Sequence, residues 1–280
     1  MKNKIDVAIL GLGLMGGSLA LGLKKLPFIG DIVGSDHNIR HQKDAVELGL
    51  VEKVVEFEEL KNYDVIFLAV PVEGVITALK SLSDIDKDTT IIDLGSTKEL
   101  IVSSVPSKIR KNFVAAHPMT GTENFGPHAA IDGLYMDKVV VLCDLEESGE
   151  LQRKTAKKIF KSLGMKKYFM RSSEHDRHAA FISHMPHAIS FSIANTVMKQ
   201  EKKHNILALA AGGFRSMSRL AKSSPTMWED VFRQNKNNLL EAMELFEKEF
   251  FELKKSIEDE EWEVVRKSLE HGNTLHDIFD

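Results

Sequence analysis

The chain has 280 residues, and its 37 lysines and arginines against 41 aspartates and glutamates give a formal net charge of −4. This balance excludes the basic surplus of a nucleic-acid-binding protein, and a hydrophobic fraction of 43% is that of a globular chain long enough for two domains. The single Cys143 excludes an intrachain disulfide framework. Because no charge-free apolar run of about 18 residues and no signal-peptide pattern is found, we expect a cytoplasmic protein that does not span a membrane.

Residues 1–170 alternate short β-branched runs with amphipathic helical patterns. This alternation predicts an α/β domain with a doubly wound, mainly parallel sheet of the Rossmann type. The runs are almost continuously apolar, as expected for strands that helices cover on both faces. The predicted strands are 5–10, 32–35, 65–70, 90–94, 113–116, 139–143 and 168–170. The helical patterns cover 18–25, 40–48, 75–82 and 151–163.

Residues 171–280 form the second predicted domain, which is all-α, because β-branched clusters disappear and helical periodicity runs almost to the end. Breaks in the pattern occur at Pro186, at the glycine pair 212–213 and at Pro225. The long helix carries an apolar stripe with alternating spacings of four and three residues, which is either an intramolecular core face or a subunit interface. Its members are Leu239, Met243, Phe246, Phe250, Leu253 and Ile257.

A glycine-rich loop lies between the first predicted strand and the first helical segment. Gly11 permits a tight turn, Gly13 lets the backbone approach a pyrophosphate, and Gly16 allows close packing of helix against strand. The anion would lie at the helix N-terminus. Strand, loop and helix in this order predict a dinucleotide-binding site, and Leu14 and Met15 within the loop are further cofactor-binding candidates.

Asp36 ends the second predicted strand, twenty residues after Gly16. A carboxylate there would accept hydrogen bonds from an adenosine ribose and repel a 2′-phosphate, so we expect NAD as the cofactor. Val70 and Pro71 close another strand near the point where the strand order of such sheets reverses. They either border the cofactor crevice or form a simple strand-ending turn.

His117 directly follows the predicted strand 113–116. Because the carboxyl ends of parallel strands face the ligand crevice, His117 is expected beside the nicotinamide, where it could accept a hydroxyl proton as hydride leaves the same carbon. The alternative is a loop histidine bonded to backbone. Ser96 follows the neighbouring strand in the same way, and either shares the substrate hydroxyl with His117 or caps a helix before Glu99.

Two histidines and two arginines in the helical half are further candidates. His184 and His187 are three residues apart, which places both on one helix face and suits substrate binding. A metal site is disfavoured there because recognisable cysteine or carboxylate ligands are missing. Arg215 and Arg219 are four residues apart on one predicted helix face and suit bidentate carboxylate binding, with a solvated surface pair as the alternative.

Six motifs follow one another in a specific order. They are the glycine loop 11–18, Asp-x-Gly-Ser-x-Lys at 93–98, His-Pro-Met-x-Gly-Thr-Glu at 117–123, Ser-His-Met-Pro-His at 183–187, the Gly-Gly-Phe-Arg segment 212–219 and Pro-x-Met-Trp at 225–228. Together they resemble the prephenate/arogenate dehydrogenase family of tyrosine biosynthesis, and the resemblance covers nearly the whole chain.

This resemblance implies an NAD-dependent oxidative decarboxylation that gives 4-hydroxyphenylpyruvate from prephenate or tyrosine from arogenate. It implies that His117 accepts a hydrogen bond from the ring 4-hydroxyl with Ser96 as its partner, and that Arg219 grips a substrate carboxylate near His187. It also implies a Rossmann domain joined to a helical domain that forms a homodimer. Less defined roles at motif positions fall to His184, Thr122, Glu123, Trp228 and Asp176.

Two other functions remain open at this point. A β-hydroxyacid dehydrogenase would share the glycine loop and the helical second domain, but it would need a catalytic lysine in that domain and would leave His117 unexplained. A non-catalytic NAD-sensing module would bind the nucleotide without turnover. The residues also do not decide between prephenate and arogenate, which differ by a keto group against an ammonium group on the side chain.

Overall fold

The computed structural model describes residues 4–200 and 202–279, and an eight-stranded sheet organises its first half. The strands are β1 Ile5–Leu10, β2 Ile29–Ser35, β3 Lys53–Val54, β4 Val65–Leu68, β5 Thr90–Asp93, β6 Phe113–Pro118, β7 Val139–Cys143 and β8 Lys166–Met170. Their order across the sheet is β3-β2-β1-β4-β5-β6-β7-β8. The chain crosses from β3 back to β4 beside β1, and in such sheets ligands bind at the carboxyl ends of the strands near this reversal.

Helices cover both faces of the sheet. They are α1 Leu14–Leu23, α2 Ile39–Glu47, α3 Val72–Ser81, α4 Glu99–Ser103 and α5 Glu150–Ser162. Two apolar clusters fill the two interfaces. One contains Phe67 and Phe160, whose rings pack edge to face with centroids 6.4 Å apart, and the other contains Phe113. Because both faces are dry, the strands are apolar at nearly every position, which explains the continuous runs in the sequence.

β7 is antiparallel to β6, with His117 opposite Val141, whereas the other strand pairs of the described sheet are parallel. The prediction of a doubly wound, mainly parallel sheet is confirmed. An antiparallel neighbour starts at the edge where the previous strand ends. The segment 119–138 between β6 and β7 therefore stays at the carboxyl edge of the sheet.

After β8 the described chain is helical, which confirms the predicted all-α second half. Its helices are α6 Ser172–Ala179, α7 Met185–Met198, α8 Lys203–Ala208, α9 Gly212–Ser218, α10 Pro225–Gln234, α11 Lys236–Glu258, α12 Trp262–Asn273 and α13 His276–Phe279. One π-helical turn, Ala180–His184, joins α6 to α7. This wider turn accommodates Pro186, which has no N–H and would clash with the turn before it in a regular helix. Among the described residues no helix is long and apolar enough to cross a membrane.

Some helices and strands begin at other residues than predicted, because backbone hydrogen bonding rather than apolar periodicity decides where they start. α1 begins at Leu14 rather than at residue 18, because Gly13 already serves as its N-cap. β2 begins at Ile29 rather than at residue 32, since ladder pairing with β1 continues through a polar stretch. The two-residue β3 and the five-residue α4 were not predicted, because elements this short show no periodicity.

The helical half has a small core of its own. Past His184, the buried residues of the described chain are Ser190, Trp228, Val231, Asn235, Leu239 and Ala242. The apolar stripe of α11 is divided, because Leu239 packs inside the chain whereas Phe246 and Ile257 are exposed and Phe250 is 60% exposed. Contiguous exposed apolar side chains of this kind indicate a surface for a partner.

Candidate active site

The glycine loop forms an open cradle at the carboxyl end of β1. Gly11 has a φ of +94°, in the left-handed region that glycine adopts without strain, and a Cβ there would lie 2.8 Å from Cγ1 of Val70. A Cβ at Gly16 would collide with the carbonyl oxygen of Gly11. At Gly13, by contrast, the nearest atom to a Cβ would be the Gly126 nitrogen, 3.8 Å away. The three glycines thus provide a turn, a close contact and an open face.

The N-terminus of α1 lies at this open face. Gly13 is the N-cap, and no side chain among the described residues caps the helix. The backbone N–H groups of the first turn are therefore available for an anion. Leu14 is buried, and the carbonyl oxygen of Met15 accepts a hydrogen bond from the Tyr135 hydroxyl at 2.8 Å. The cradle fits a dinucleotide pyrophosphate that backbone groups hold.

Asp36 follows β2 and faces the same loop. Its Oδ2 accepts a hydrogen bond from the Leu12 backbone N–H at 2.8 Å, and its Oδ1 accepts one from the Asn38 N–H at 2.9 Å. Each carboxylate oxygen keeps a second lone pair for a ribose hydroxyl. Asp36 can therefore hold the loop in shape and bind a ribose at the same time.

The segment 119–138 covers the cradle. The Gly126 nitrogen lies over Gly13, and the backbone N–H of Ile131 donates to the Ser18 hydroxyl in α1 at 2.8 Å. On the neighbouring strand, β4 ends at Leu68, so Val70 lies beyond the strand and against the glycine turn, and the exposed Pro71 is the N-cap of α3. All these residues border one crevice.

His117 and Ser96 lie at the carboxyl ends of adjacent parallel strands. Asp93, the last residue of β5, is opposite Ala115 in β6. Ser96 therefore reaches the same edge as His117, and both side chains are half-buried. Burial, with a smaller contribution from the buried Lys98 ammonium group, lowers the pKa of His117 well below 6.5. At neutral pH the imidazole is uncharged, which is the form that can accept a proton.

A histidine and an aspartate from α6 complete the surroundings of His117. The His117 Nδ1 and His175 Nε2 atoms are 2.8 Å apart, and the His175 Nδ1 and Asp176 Oδ1 atoms are also 2.8 Å apart. Both α6 residues are buried. The first helix after the sheet is thus hydrogen-bonded to the candidate base at the end of β6.

Asp176 also caps α4. Its carboxylate accepts hydrogen bonds from the backbone N–H groups of Lys98 at 2.7 Å and Glu99 at 2.9 Å. The N-cap residue is Lys98, so the alternative that Ser96 caps this helix is wrong. The reason is that a carboxylate from another part of the chain supplies the acceptor, and the Ser96 hydroxyl is not needed there.

The Lys98 side chain lies fully buried beneath the site. Its ammonium group donates to the Asp93 carboxylate and, at 2.9 Å, to the carbonyl oxygen of Ala116. Asp93 accepts two further backbone N–H groups at 3.1 Å each, which satisfies the buried carboxylate. This ion pair ties together the ends of β5 and β6, the strands that carry Ser96 and His117.

Trp228, from α10, lies between two predicted histidines. Its ring stacks on His187, with centroids 3.6 Å apart and planes at 23°, and meets His184 edge to face at 6.0 Å. The His187 Nδ1 donates to the Ser183 carbonyl oxygen at 2.8 Å, which leaves Nε2 as an acceptor. Trp228 Nε1 is buried and has no hydrogen-bond partner in the described part of the chain. An unpaired buried donor is costly and indicates a place for a ligand acceptor.

His184 lies behind this aromatic pair and is 1% exposed. Its Nδ1 accepts a hydrogen bond from Asn235 Nδ2 at 3.0 Å, and burial lowers its pKa to about 4. This environment is that of a neutral packing residue, so it does not support the predicted substrate contact. Within the described residues, no three His, Cys, Asp or Glu side chains are grouped as a metal ion would require.

Arg219 lies on the exposed side of this region. Burial lowers the pKa of His187, and the positive charge of Arg219 acts in the same direction. Arg215 and Arg219 do not belong to one α-helix as predicted, because α9 ends at Ser218 and Arg219 begins a 3₁₀ turn. The Ser218 hydroxyl bonds back to the Phe214 carbonyl oxygen at 2.8 Å, an interaction that competes with regular helix continuation.

Thr122 and Glu123 are exposed in the segment 119–138. Thr122 Oγ1 accepts a hydrogen bond from the Asn124 N–H at 3.2 Å. No hydrogen bond joins either residue to His117 in the residues described. Their placement as substrate contacts therefore remains a prediction.

Sequence reasoning missed His175 and Asn235. Neither lies in one of the six motifs, and both act through partners that are distant in sequence, His117 for the first and His184 for the second. The available signal was the position of His175 directly before Asp176, a residue to which the family resemblance already gave a role. A histidine next to a carboxylate, at the junction of the two halves, is a candidate hydrogen-bond partner for the predicted base His117.

Comparison with known proteins agrees with this geometry. Residues 19–169 match the family model described as prephenate dehydrogenase, nucleotide-binding domain, and residues 171–271 match prephenate dehydrogenase, dimerization domain. The chain is 30% identical over 284 residues to prephenate dehydrogenase of Bacillus subtilis (strain 168), covering 99% of this chain and 76% of that protein. It is 28% identical to cyclohexadienyl dehydrogenase of Zymomonas mobilis, covering 95% of this chain and 92% of that one.

A solved structure is also similar over the full length. It is prephenate dehydrogenase from A. aeolicus in complex with hydroxyphenyl propionate and NAD+, with a TM-score of 0.92 and 32% identity. The alignment covers 99% of this chain and 98% of that chain. The two family models together span both halves of the sequence. The chain therefore belongs to the prephenate dehydrogenase family.

Proposed function

We propose that this protein catalyses the NAD-dependent oxidative decarboxylation of prephenate to 4-hydroxyphenylpyruvate. The observation that carries the proposal is the placement of a neutral, half-buried imidazole, His117, at the carboxyl end of β6, on the same edge of the sheet as the dinucleotide cradle. The names of the relatives agree with it. A β-hydroxyacid dehydrogenase would need a catalytic lysine in the helical half. In this arrangement His117 accepts the proton instead.

The chemistry follows from the position of His117. Bound NAD would supply the hydride acceptor for C4 of the ring. His117 accepts the proton of the 4-hydroxyl group as the hydride leaves, with Ser96 as a second polar group at the same edge. The bond to the ring carboxylate then breaks, CO2 leaves, and its electron pair moves through the ring to the oxygen on C4. That oxygen takes the proton back from His117, so atoms and charges balance.

The substrate carboxylates need cationic or N–H donors. Arg219 provides a guanidinium group, and the unpaired Nε1 of Trp228 provides a buried donor. The stacked His187 holds the Trp228 ring in place, and its own Nδ1 is fixed by the Ser183 carbonyl oxygen. We therefore assign Arg219, His187 and Trp228 to substrate binding, with the chemistry left to His117.

The activity test is direct. Purified protein with prephenate and NAD should produce NADH, followed by its near-ultraviolet absorbance, together with 4-hydroxyphenylpyruvate. Arogenate in a parallel series tests the second substrate, which the similarity to a cyclohexadienyl dehydrogenase makes worth measuring. Nucleotide binding without turnover of either substrate would instead support an NAD-sensing module.

Cofactor preference is a first quantitative prediction. Because the Asp36 carboxylate lies where a 2′-phosphate would be placed, NAD should exceed NADP in kcat/KM by at least tenfold, or about 1.4 kcal/mol. Asp36→Asn should narrow this ratio, since the amide keeps the size of the side chain and removes its charge. Equal use of the two cofactors by the unaltered protein would contradict the assignment.

We propose that the protein is a homodimer that buries the exposed part of the α11 stripe. The support is the small core of the helical half and the exposed Phe246, Phe250 and Ile257. Light scattering at micromolar concentration should give about twice the 31.4 kDa chain mass. Phe250→Glu should weaken the dimer, whereas Leu151→Glu, at an exposed position on α5, should not. A monomeric unaltered protein would contradict this proposal.

A further inference from the structure

We propose that His175 and Asp176 position His117, so that its Nε2 presents the lone pair that receives the substrate proton. This inference rests on the proposed function for its catalytic meaning. The hydrogen-bond geometry that supports it is independent of any substrate. It assigns a role to a histidine that none of the six motifs contains.

The direction of each hydrogen bond follows from the carboxylate. Asp176 accepts from two backbone N–H groups, at 2.7 and 2.9 Å, and an ionised carboxylate has no proton to donate. The 2.8 Å contact between its Oδ1 and the His175 Nδ1 therefore requires the proton on Nδ1. Neutral His175 is then left with an unprotonated Nε2.

The same logic continues to His117. The His175 Nε2 is an acceptor, so the 2.8 Å contact with the His117 Nδ1 requires that His117 carry its proton on Nδ1. The Nε2 of neutral His117 is then unprotonated and free to accept a proton. The opposite tautomer would leave two lone pairs facing each other between the two rings.

The pair also responds to the charge that forms on His117. When His117 gains a proton, its Nδ1–H donates to His175 Nε2 as a charge-assisted hydrogen bond. The negative charge of Asp176, which accepts from the other nitrogen of His175, favours this protonated state. The proton does not need to leave His117 for this stabilisation. His175 and Asp176 are therefore positioning residues that act through the base.

The pair couples base alignment to the packing of the two halves of the chain. His117 belongs to β6, whereas His175 and Asp176 belong to α6, and Asp176 also accepts hydrogen bonds from the backbone of Lys98 and Glu99. Asn235 Nδ2 in turn donates to the Asp176 carbonyl oxygen at 2.6 Å. A shift of the helical half would break the contact that sets the tautomer.

The tautomer can be measured without substrate. In protein carrying ¹⁵N-labelled histidine, NMR at neutral pH should show the His117 resonances with a protonated Nδ1 and an unprotonated Nε2, assigned by their loss in His117→Asn. In His175→Leu this preference should disappear. A proton on Nε2 of His117 in the unaltered protein would overturn the proposal, whether or not prephenate is the substrate.

Kinetics then test the consequence. His175→Leu should lower kcat for prephenate by roughly 10²-fold, the low end of what a positioned base contributes, with little change in the KM for NAD. His175→Gln, which offers a carbonyl oxygen to the His117 Nδ1–H, should recover part of the loss. His178→Leu, on the exposed side of α6, should behave like the unaltered protein. An unchanged kcat in a folded His175→Leu variant would contradict the proposal.

Discussion

His117→Asn is expected to retain NAD binding and to lower kcat for prephenate by roughly 10²–10⁴, the range for removal of a positioned general base. The asparagine side chain cannot accept and return the hydroxyl proton. It is close in size to part of the imidazole, so the ends of β5 and β6 should remain folded around the buried Lys98 and Asp93. Steady-state kinetics and calorimetric titration with NAD measure the two effects separately.

The matched control is His271→Asn, an exposed position on α12, a helix that packs against α11. It should change neither kcat nor NAD affinity. If His117→Asn remained fully active, the proton acceptor would be another group, and the role assigned to the end of β6 would be wrong.

The pH dependence of the unaltered protein follows from the same residue. Burial lowers the pKa of His117 well below 6.5, so the imidazole is still neutral when the pH falls to that value. Activity is lost only when the pH falls through the lowered pKa, because protonated His117 cannot accept a proton. The acidic limb of kcat/KM should therefore lie well below pH 6.5, and a limb at or above that value would contradict the assignment, provided the substrate does not itself titrate there.

Arg219→Ala is expected to cost about 2 kcal/mol of kcat/KM for prephenate, the low end of the range for removing one partner of a buried charge pair. The low end applies because the guanidinium is exposed in the structure. Even Arg219→Lys should raise the KM for prephenate, since a lysine offers no planar pair of donors for a carboxylate. The KM for NAD should stay nearly constant, because the cradle lies on another part of the chain.

Arg266→Lys provides the comparison, since Arg266 is exposed on α12 and pairs with Glu263 at 2.7 Å. It should leave the KM for prephenate unchanged. A defect of Arg219→Lys that appears only in the KM for NAD would place this arginine at the cofactor and contradict the assignment.

Local patterns were enough to predict the cofactor half of the site. Gly11, Gly13 and Gly16 lie within six residues, and the strand and helix that flank them are strongly apolar. Backbone geometry over such a short span depends on residue type, so the turn, the open face and the close contact could be read directly. The position of His117 followed from the rule that strand ends meet at one edge of a parallel sheet.

The partners of those residues could not be predicted in the same way. His175 contacts His117 across 58 residues of sequence, and Asp176 caps α4 across 78. Nothing in the local composition of α6 shows which of its polar residues face the sheet. The capping alternative for Ser96 was wrong for this reason, because its competitor came from a distant segment.

The sequence by itself determined the α/β and all-α halves, the dinucleotide loop and the histidine at the strand end, since each depends on periodicity or on a few adjacent residues. Only the tertiary structure decided which side chains meet around that histidine, that His184 is enclosed while His187 stacks on Trp228, and which part of the α11 stripe remains exposed. These depend on how α6, α7, α10 and α11 pack against one another and on the sheet. Such packing is set by contacts between residues far apart in the chain, which periodicity alone does not encode.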